Sequence, residues 1–238
     1  MNWIVIEASE ISSEQSVHIT GLRHHHIVSI LKKKASESVL VVVPGIGNFR
    51  YQVEGISNQE TILKAEENLP RVLEPLPIHC LFSLPRPQTA KKILHLAGAY
   101  GITSLHFFAT ESKNKEYWTS PVYSKDWKEL VLTGLSQTGN SQMPSVHLGQ
   151  KENWKQFLTS WKGPVQIMDR EGKNGFPNSN QKDFGLKETL FVFGPESGWK
   201  ESDHLFFKEH NLNQTSLGNI NLRTEFAFSS LLYLLFKS

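Results

Sequence analysis

Two glycine-bearing segments near the C-terminal end of the sequence combine flexible backbone with charged side chains. The first is Phe193-Gly194-Pro195-Glu196-Ser197-Gly198-Trp199, which joins an apolar stretch to a helix expected to begin near Lys200. In open α/β sheets, ligands bind beyond the carboxyl ends of strands, and glycines there let backbone groups approach a ligand closely. The segment is a candidate ligand-binding turn, and an ordinary strand-to-helix turn is the alternative.

The second segment is Leu217-Gly218-Asn219-Ile220-Asn221-Leu222-Arg223-Thr224-Glu225-Phe226-Ala227, which runs directly into an apolar helix. Charged side chains at the start of such a helix lie beside unpaired backbone amides and are held by a rigid element. Arg223 and Glu225 are therefore candidate catalytic residues. The alternative is a helix cap, in which Thr224 or Glu225 only satisfies the first turn.

The elements that must position these segments follow residue 77, where apolar runs alternate with helical stretches. This alternation predicts an α/β domain with a mainly parallel sheet covered by helices on both faces. The predicted strands are Ile78–Leu84, Leu105–Ala109, Val165–Met168 and Leu190–Phe193, and the predicted helices include Thr89–Tyr100, Lys125–Leu135 and Asn153–Trp161.

The first third of the sequence is typical of a small β-barrel. Trp3–Glu7 and Thr61–Ala65 are predicted strands, and Ser38–Pro44 and Phe49–Ile56 form a predicted hairpin around a glycine-containing turn. The three prolines within residues 69–77 indicate a linker. We therefore expect two domains, residues 1–70 and residues 71–238.

A basic segment lies inside the barrel region. Residues 18–34 contain Arg23, three consecutive histidines from His24 to His26, and Lys32, Lys33 and Lys34, without a single acid. Apolar residues at helical spacing, from Leu22 to Leu31, predict a helix with an inward apolar face that leaves Arg23 and the lysines to solvent. The segment is a candidate RNA contact, and a merely solvated face is the alternative. Consecutive helical residues point about 100° apart, so three adjacent histidines do not converge on a metal ion.

Net charge, cysteine content and the lengths of apolar stretches limit the classes of protein to which this sequence can belong. The net charge of +2 is too small to indicate nucleic-acid binding without local clustering. The single cysteine, Cys80, can form neither an internal disulfide nor a zinc cluster, which favours a reducing compartment such as the cytoplasm. We expect neither a secretion signal in Met1–Ser13 nor a membrane span in Phe226–Phe236, which is far shorter than the roughly 20 apolar residues required.

The final helix, Arg223–Phe236, is apolar almost all round. A helix without a polar face needs burial on more than one side, in the core or against a second subunit. We expect some of each, and therefore a homodimer.

Together, the GPExGW-like turn and the later LGxxxLRTE element resemble the SPOUT superfamily of RNA methyltransferases. The match within it is to the small-subunit ribosomal RNA methyltransferase E family, which methylates N3 of a uridine. That family begins with a PUA-like barrel containing a segment similar to His24–Leu31, and its second domain carries an element similar to Leu84-Pro85-Arg86. The resemblance implies a trefoil-knotted domain that binds S-adenosyl-L-methionine, a ribosomal RNA substrate and a homodimer. We expect no metal, because the three histidines do not converge.

The resemblance also implies roles for individual residues. Arg223 is expected to neutralise charge developing on the uracil ring, and Glu225 to act as a base or an orienting group. The expected donor-binding residues are Phe193, Gly194, Glu196, Gly198, Leu217, Gly218, Leu222 and Thr224. The expected RNA-binding residues are Arg23, His24, His25, Lys32, Lys33 and Arg86.

The sequence departs from the family where the family carries charge. A Lys-Ala-Thr-Glu-Leu-Gly element is here Leu96–Gly101, and a Glu-Gln-Ser-x-Arg element is here Ser136–Asn140. Phe226 replaces a threonine, and Ser197 replaces the second glycine of the first turn. Charges lost together indicate a network removed as a unit. The alternative function is therefore an RNA-binding protein that keeps the fold with altered specificity or without catalysis. A dinucleotide-binding enzyme is disfavoured because no strand is followed by GxGxxG.

Overall fold

The computed structural model describes residues 3–172, 174–175 and 187–236. The chain divides into two compact units. The first comprises residues 1–74, 98–101 and 131–143, and the second comprises residues 75–97, 102–130 and 144–238. Among the described helices, none is long and apolar enough to cross a bilayer.

A five-stranded sheet forms the first unit. Its strands are β1 (Trp3–Val5), β2 (Ser16–Thr20), β3 (Ser38–Val43), β4 (Gly47–Ile56) and β5 (Glu60–Leu69), in the order β1-β3-β4-β5-β2. The predicted hairpin is confirmed as the antiparallel pair β3–β4. Strand β2 was not predicted, and β5 continues to Leu69 because its second half pairs with the start of β4. Alternate apolar residues of these strands, among them Ile4, Val41 and Leu63, form the core.

The basic segment forms a shorter and less regular helix than the sequence predicts. Helix α1 spans Gly21–His25 and continues as a π-helical turn, His26–Ile30, closed by the bond from Leu31 N–H to the His26 carbonyl. Ile27 is fully buried, whereas Leu22 is 88% exposed and Ile30 is 61% exposed. The prediction of an inward apolar face is therefore wrong at these two positions, because the π-helical turn breaks the 3.6-residue spacing on which it rests.

The stretches that lack the family's charges form a neutral contact in the first unit. A Cβ atom on Gly98 would lie 2.1 Å from the Val131 carbonyl oxygen, so these two backbones pack directly together. Asn140 Nδ2 donates to the Gly98 carbonyl at 2.8 Å, and Thr138 Oγ1 donates to the Ala99 carbonyl at 2.8 Å. Backbone carbonyls thus satisfy the polar side chains here, and no charged partner is required.

The second unit is built on seven parallel strands within the described residues. They are β6 (Leu76–Ser83), β7 (Ile102–Phe108), β8 (Ser145–Gly149), β9 (Val165–Met168), β10 (Asn174–Gly175), β11 (Thr189–Phe193) and β12 (Asn213–Ser216), in the order β10-β12-β9-β11-β6-β7-β8. The helices that follow β6 in the sequence are α2 (Pro87–Tyr100), α3 (Trp127–Thr138), α4 (Trp154–Ser160), α5 (Glu201–Glu209) and α6 (Thr224–Phe236). Residues 98–100 of α2 and 131–138 of α3 belong to the first unit. A 3₁₀ segment, Ser112–Thr119, and a π-helical turn, Val122–Asp126, precede α3. The predicted parallel α/β sheet is confirmed.

Helices cover both faces of this sheet. On one face, Leu81 and Val192 belong to a buried cluster with Leu158 of α4 and Phe207 of α5. On the other face, Phe82 and Phe193 stack at 4.7 Å, and both meet the ring of Phe228 on α6 edge to face. Neighbouring residues of one strand point to opposite faces, so these contacts place α4 and α5 opposite α6.

The order of the strands creates a switch point at the centre of the sheet. From β6 the chain continues outward through β7 and β8, whereas β9, β11 and β12 lie on the other side. Strands β6 and β11 are therefore neighbours, with Phe82 opposite Phe193 at their carboxyl ends. Such a reversal leaves a crevice where ligands bind in open α/β sheets.

Candidate functional site

A cleft of about 1370 Å³ opens at the carboxyl ends of the central strands. Its lining includes the turn after β11, the loop between β12 and α6, residues 168–171 at the end of β9, and the start of α2. The sequence-predicted donor-binding and catalytic residues all lie on it: Phe193, Gly194, Glu196, Gly198, Leu217, Gly218, Leu222, Arg223, Thr224 and Glu225. Two segments separated by α5 and β12 in the sequence thus meet in one place.

The turn after β11 is held by tight packing. A Cβ atom on Gly194 would lie 2.7 Å from Cε2 of Trp199, closer than side chains approach one another. The Trp199 ring stacks on Trp154 at 5.6 Å, and its Nε1 donates to the Met168 carbonyl at 3.3 Å. Gly198 has a φ of +82°, which favours glycine. The turn therefore presents its backbone groups from a fixed position.

The loop before α6 is fixed by backbone and hydroxyl bonds. Gly218 has a φ of +121°, and its N–H donates to Ser216 Oγ at 3.1 Å. The Arg223 carbonyl accepts from the N–H groups of Phe226 and Ala227 at 2.9 Å each, so Arg223 stands at the N-cap of α6. The Arg223 side chain is exposed at the edge of the cleft, in a position to meet a ligand.

Glu225 is a buried carboxylate with a cationic partner. Its side chain is 8% exposed, and Oε1 lies 3.0 Å from Nζ of Lys92 on α2. Burial acts to raise the pKa of Glu225, but its backbone hydrogen bond, Lys92 and Arg223 outweigh burial and hold that pKa below the ordinary value. A carboxylate held ionised in this way is suited to orienting neighbouring cations, and it is a weak proton acceptor.

The family model of the RNA methyltransferase domain matches residues 72–235. The chain belongs to this family. A curated relative, the ribosomal RNA small subunit methyltransferase E of Treponema pallidum (strain Nichols), is 24% identical over 243 residues, which cover 95% of this chain and 87% of that protein. The ribosomal RNA small subunit methyltransferase E 1 of Borreliella burgdorferi is 22% identical over 231 residues, covering 95% and 94%. The resemblance inferred from the two glycine-bearing segments is confirmed.

Solved structures share the fold of this RNA methyltransferase family member. The ribosomal RNA small subunit methyltransferase E of Neisseria gonorrhoeae, bound to S-adenosyl methionine, gives a TM-score of 0.74 at 17% identity and covers 96% of this chain and 94% of that one. A methyltransferase from Legionella pneumophila in complex with the same cofactor gives 0.76 at 16% identity, covering 98% and 96%. At this identity the two structures establish the fold alone.

A second, smaller cavity of this methyltransferase adjoins the cleft. It has a volume of about 270 Å³ and shares Arg86, Tyr117, Glu196 and Thr224 with the cleft lining. Arg86 Nε and Glu196 Oε2 lie 3.3 Å apart, which links the end of β6 to the end of β11. Arg86, predicted to bind RNA, therefore stands where the two cavities meet.

Glu111, Asn114 and Tyr117 also line this smaller cavity, and none of them was predicted from the sequence as a site residue. Glu111 is only 6% exposed, and Ser197 Oγ donates to its Oε1 at 2.9 Å. The signal that points to Glu111 is its place just after the carboxyl end of β7, which is the criterion that selected Gly194 after β11.

The other predicted RNA-binding residues lie in the first unit. The Arg23 guanidinium is bound to the Glu10 carboxylate, with Nη2 and Oε1 2.5 Å apart, and to the Val5 carbonyl, so it is less open to solvent than expected. His24 contacts Thr61 Oγ1 at 2.8 Å, whereas Lys32 is exposed. The described residues contain no group of three or more histidine, cysteine or acidic side chains placed to hold a metal ion.

Proposed function

We propose that this protein uses S-adenosyl-L-methionine to methylate N3 of a uridine in small-subunit (16S) ribosomal RNA. The observation that carries the proposal is the convergence of the turn after β11 and the loop before α6 on one cleft. The likeness to methyltransferase E proteins of two spirochaetes along 95% of the chain supports the choice of reaction and substrate.

The cleft offers groups that suit the methyl donor. Backbone N–H and carbonyl groups of the two loops would hold its adenosine and methionine parts, with Phe193 and Thr224 beside them. Gly198 carries no side chain that would hinder the approach, and Gly194 lets Trp199 pack against the turn that presents these groups. When bound, the donor supplies an electrophilic methyl group on a sulfonium, whose transfer to N3 forms a carbon–nitrogen bond as the carbon–sulfur bond breaks.

The residues of the cleft would orient the acceptor, shield the sulfonium from water and stabilise the N3 anion that remains after its proton has passed to bulk solvent. Arg223 carries a full positive charge at the cleft edge and would stabilise negative charge on the uracil oxygens as that proton leaves. Glu225 would hold Lys92 and the first turn of α6 in place. The depressed pKa of Glu225 favours this orienting role over that of the base.

Both domains predicted from the sequence have a role in the proposed function. Residues 1–70 would act as a PUA-like barrel that captures RNA through His24, His25, Lys32 and Lys33, with a smaller share for the ion-paired Arg23. Residues 71–238 would form the knotted transferase domain, where Arg86 meets the substrate.

The last helix favours assembly of two chains. Phe226 and Tyr233 lie two turns apart on α6 and are 54% and 64% exposed. Covering such a face with a second copy would remove apolar surface from water. We therefore propose a cytoplasmic homodimer, for which light scattering behind a sizing column is the direct measurement.

A specific observation also supports the rival function, an RNA-binding protein without catalysis. Ala99 and Asn140 stand where the related family carries a glutamate and an arginine, and here the two stretches meet through neutral hydrogen bonds to the Gly98 and Ala99 carbonyls. If those charges serve catalysis in the family, the fold would survive here without the reaction.

Two measurements separate the candidates. Calorimetric titration with S-adenosyl-L-methionine should show one site per chain, and absence of binding at millimolar donor would count against both the donor site and the reaction. Mass spectrometry of ribosomal RNA nucleosides, with and without the gene, should show loss of N3-methyluridine in the deletion strain. An unchanged nucleoside profile together with retained RNA binding would establish the rival.

A further inference from the structure

The smaller cavity has the composition of a pocket for a single nucleobase. Its volume of about 270 Å³ is near the lower end of ligand sites. The lining combines an aromatic ring, a buried carboxylate, a side-chain amide and an arginine. Enzymes that act on a base read its Watson–Crick edge by hydrogen bonds and stack it against aromatic side chains.

The position of the cavity suits an acceptor. Tyr117, Glu196 and Thr224 border both cavities, so a base in the smaller one would face the cleft proposed for the methyl donor. The Tyr117 ring is half-buried and offers a stacking surface at the junction.

The hydrogen-bonding groups of the cavity select one kind of base edge. The Glu111 carboxylate is a pure acceptor, fixed at one oxygen by Ser197 Oγ at 2.9 Å. Asn114 Nδ2 is a donor, and its contacts to Glu111 Oε2 and to the Leu84 carbonyl are both long, at 3.5 Å. A base carbonyl would be a better partner for this amide than either of those oxygens.

We infer that this cavity binds the acceptor base of the proposed methyl transfer, with Glu111 accepting a ring N–H and Asn114 donating to the adjacent carbonyl. Uracil presents that pair at N3 and C4, and guanine presents it at N1 and C6. Cytosine and adenine carry an unprotonated ring nitrogen at this edge, which would face the carboxylate without a proton between them. The inference rests on the proposed function and adds a residue that selects the base.

Ser197 distinguishes this pocket from that of the related family. It occupies the position at which the related family has a second glycine, and its hydroxyl links the turn after β11 to Glu111. Glu111 is a specificity-determining residue in this arrangement, and Ser197 is a positioning residue.

Saturation-transfer NMR with free nucleosides tests the inference on the full chain, in the presence of saturating S-adenosylhomocysteine. Uridine or guanosine should give transfer at millimolar concentration. N3-methyluridine, cytidine and adenosine should give at least roughly tenfold weaker binding, the loss expected when a hydrogen bond to a charged group is removed. Equal signals from uridine and N3-methyluridine, or no signal from any nucleoside, would overturn the inference without requiring a variant.

Two variants and a control complete the test. Glu111→Gln keeps an oxygen for Ser197 but loses the carboxylate, and should weaken uridine binding roughly tenfold or more while S-adenosylhomocysteine affinity stays within about twofold. Asn114→Ala should act in the same direction, and Glu209→Gln on the exposed side of α5 should change neither affinity. Failure of the proposed function would appear as lost S-adenosylhomocysteine binding by the unmodified chain. Failure of this inference alone would leave that binding intact and uridine binding unaffected by Glu111→Gln.

Discussion

His106 lies in an aromatic cluster of the second unit, where its imidazole ring is poorly hydrated. Its ring lies 4.8 Å from the ring of Phe157 and 5.6 Å from that of His147, and its Nε2 is 2.6 Å from Ser104 Oγ. Its Nδ1 is buried without a hydrogen-bond partner among the described residues. Burial, with smaller contributions from His147 and His79, lowers the pKa of His106 from 6.5 to about 3.

This lowered pKa makes folding stability depend on pH. Between pH 6.5 and about 3 the unfolded chain binds a proton at His106 and the folded chain does not, so stability is lost as the pH falls below 6.5. One such proton changes the free energy of unfolding by up to about 1.4 kcal/mol per pH unit. From pH 7 to pH 5 the loss from His106 should be about 2 kcal/mol.

Urea unfolding followed by tryptophan fluorescence at pH 7, 6 and 5 measures this loss. His106→Gln should reduce the pH-dependent loss by about 2 kcal/mol relative to the unmodified chain. His25→Gln, at an exposed histidine, should leave it unchanged. The lowered pKa values of Glu10 and Glu225 act only below about pH 4.5, outside this window.

Two further histidines, His79 and His147, face His106, and each has a carboxylate nearby. His79 contacts the Glu188 carboxylate, and His147 lies 3.0 Å from Glu152. The unmodified chain and His106→Gln both contain these two pairs, and they differ in sequence only at residue 106. A variant that lost as much stability as the unmodified chain between pH 7 and pH 5 would refute the reasoning.

Three further predictions concern the cleft and the basic segment. Gly194→Ala should lower the free energy of unfolding by about 1–3 kcal/mol, measured in urea, because the added methyl group meets Trp199. Calorimetry should show that the same change weakens S-adenosyl-L-methionine binding at least roughly tenfold, since the turn must move. Lys92→Met should cost about 1–3 kcal/mol in thermal or urea unfolding by leaving the buried Glu225 carboxylate without its cation. Lys32→Ala should lessen the slope of log affinity for RNA against log salt by about 0.7–0.9, as expected for one lost phosphate contact.

The buried strands of the second unit could be predicted from the sequence because most of their residues are apolar. Val165–Met168 was predicted with its observed bounds, and Leu190–Phe193 differs from β11 by one residue. Strand β12 could not be predicted, since Asn213–Ser216 carries only polar side chains. It is held by strands on both sides and by the bond from Thr215 Oγ1 to Gln166 at 2.8 Å. Tertiary partners, which the local sequence does not reveal, decide its structure.

The same distinction between local sequence and tertiary contacts applies to the residues of the candidate site. The two glycine-bearing loops could be found because glycines and charges stand next to one another in the sequence. The position of Glu111 after β7 makes it a candidate, but its burial could not be predicted, because a glutamate in a polar stretch is usually exposed and Ser197, which lies against it, is far along the chain. The exposure of Leu22 and Ile30 was equally hidden, since it depends on the winding of one short turn.

The pairing of β6 with β11 has a consequence for how the chain is made. Residues 84–188 separate these neighbouring strands in the sequence. The ribosome synthesises the chain from its N-terminus, so β6 is made well before β11. Until Thr189–Phe193 leaves the ribosome, one edge of β6 has no strand to pair with its backbone groups. Apolar side chains of β6, such as Leu81 and Phe82, also remain exposed to solvent. Nascent chains that stop short of β11 are therefore the species most prone to aggregate and most in need of a chaperone.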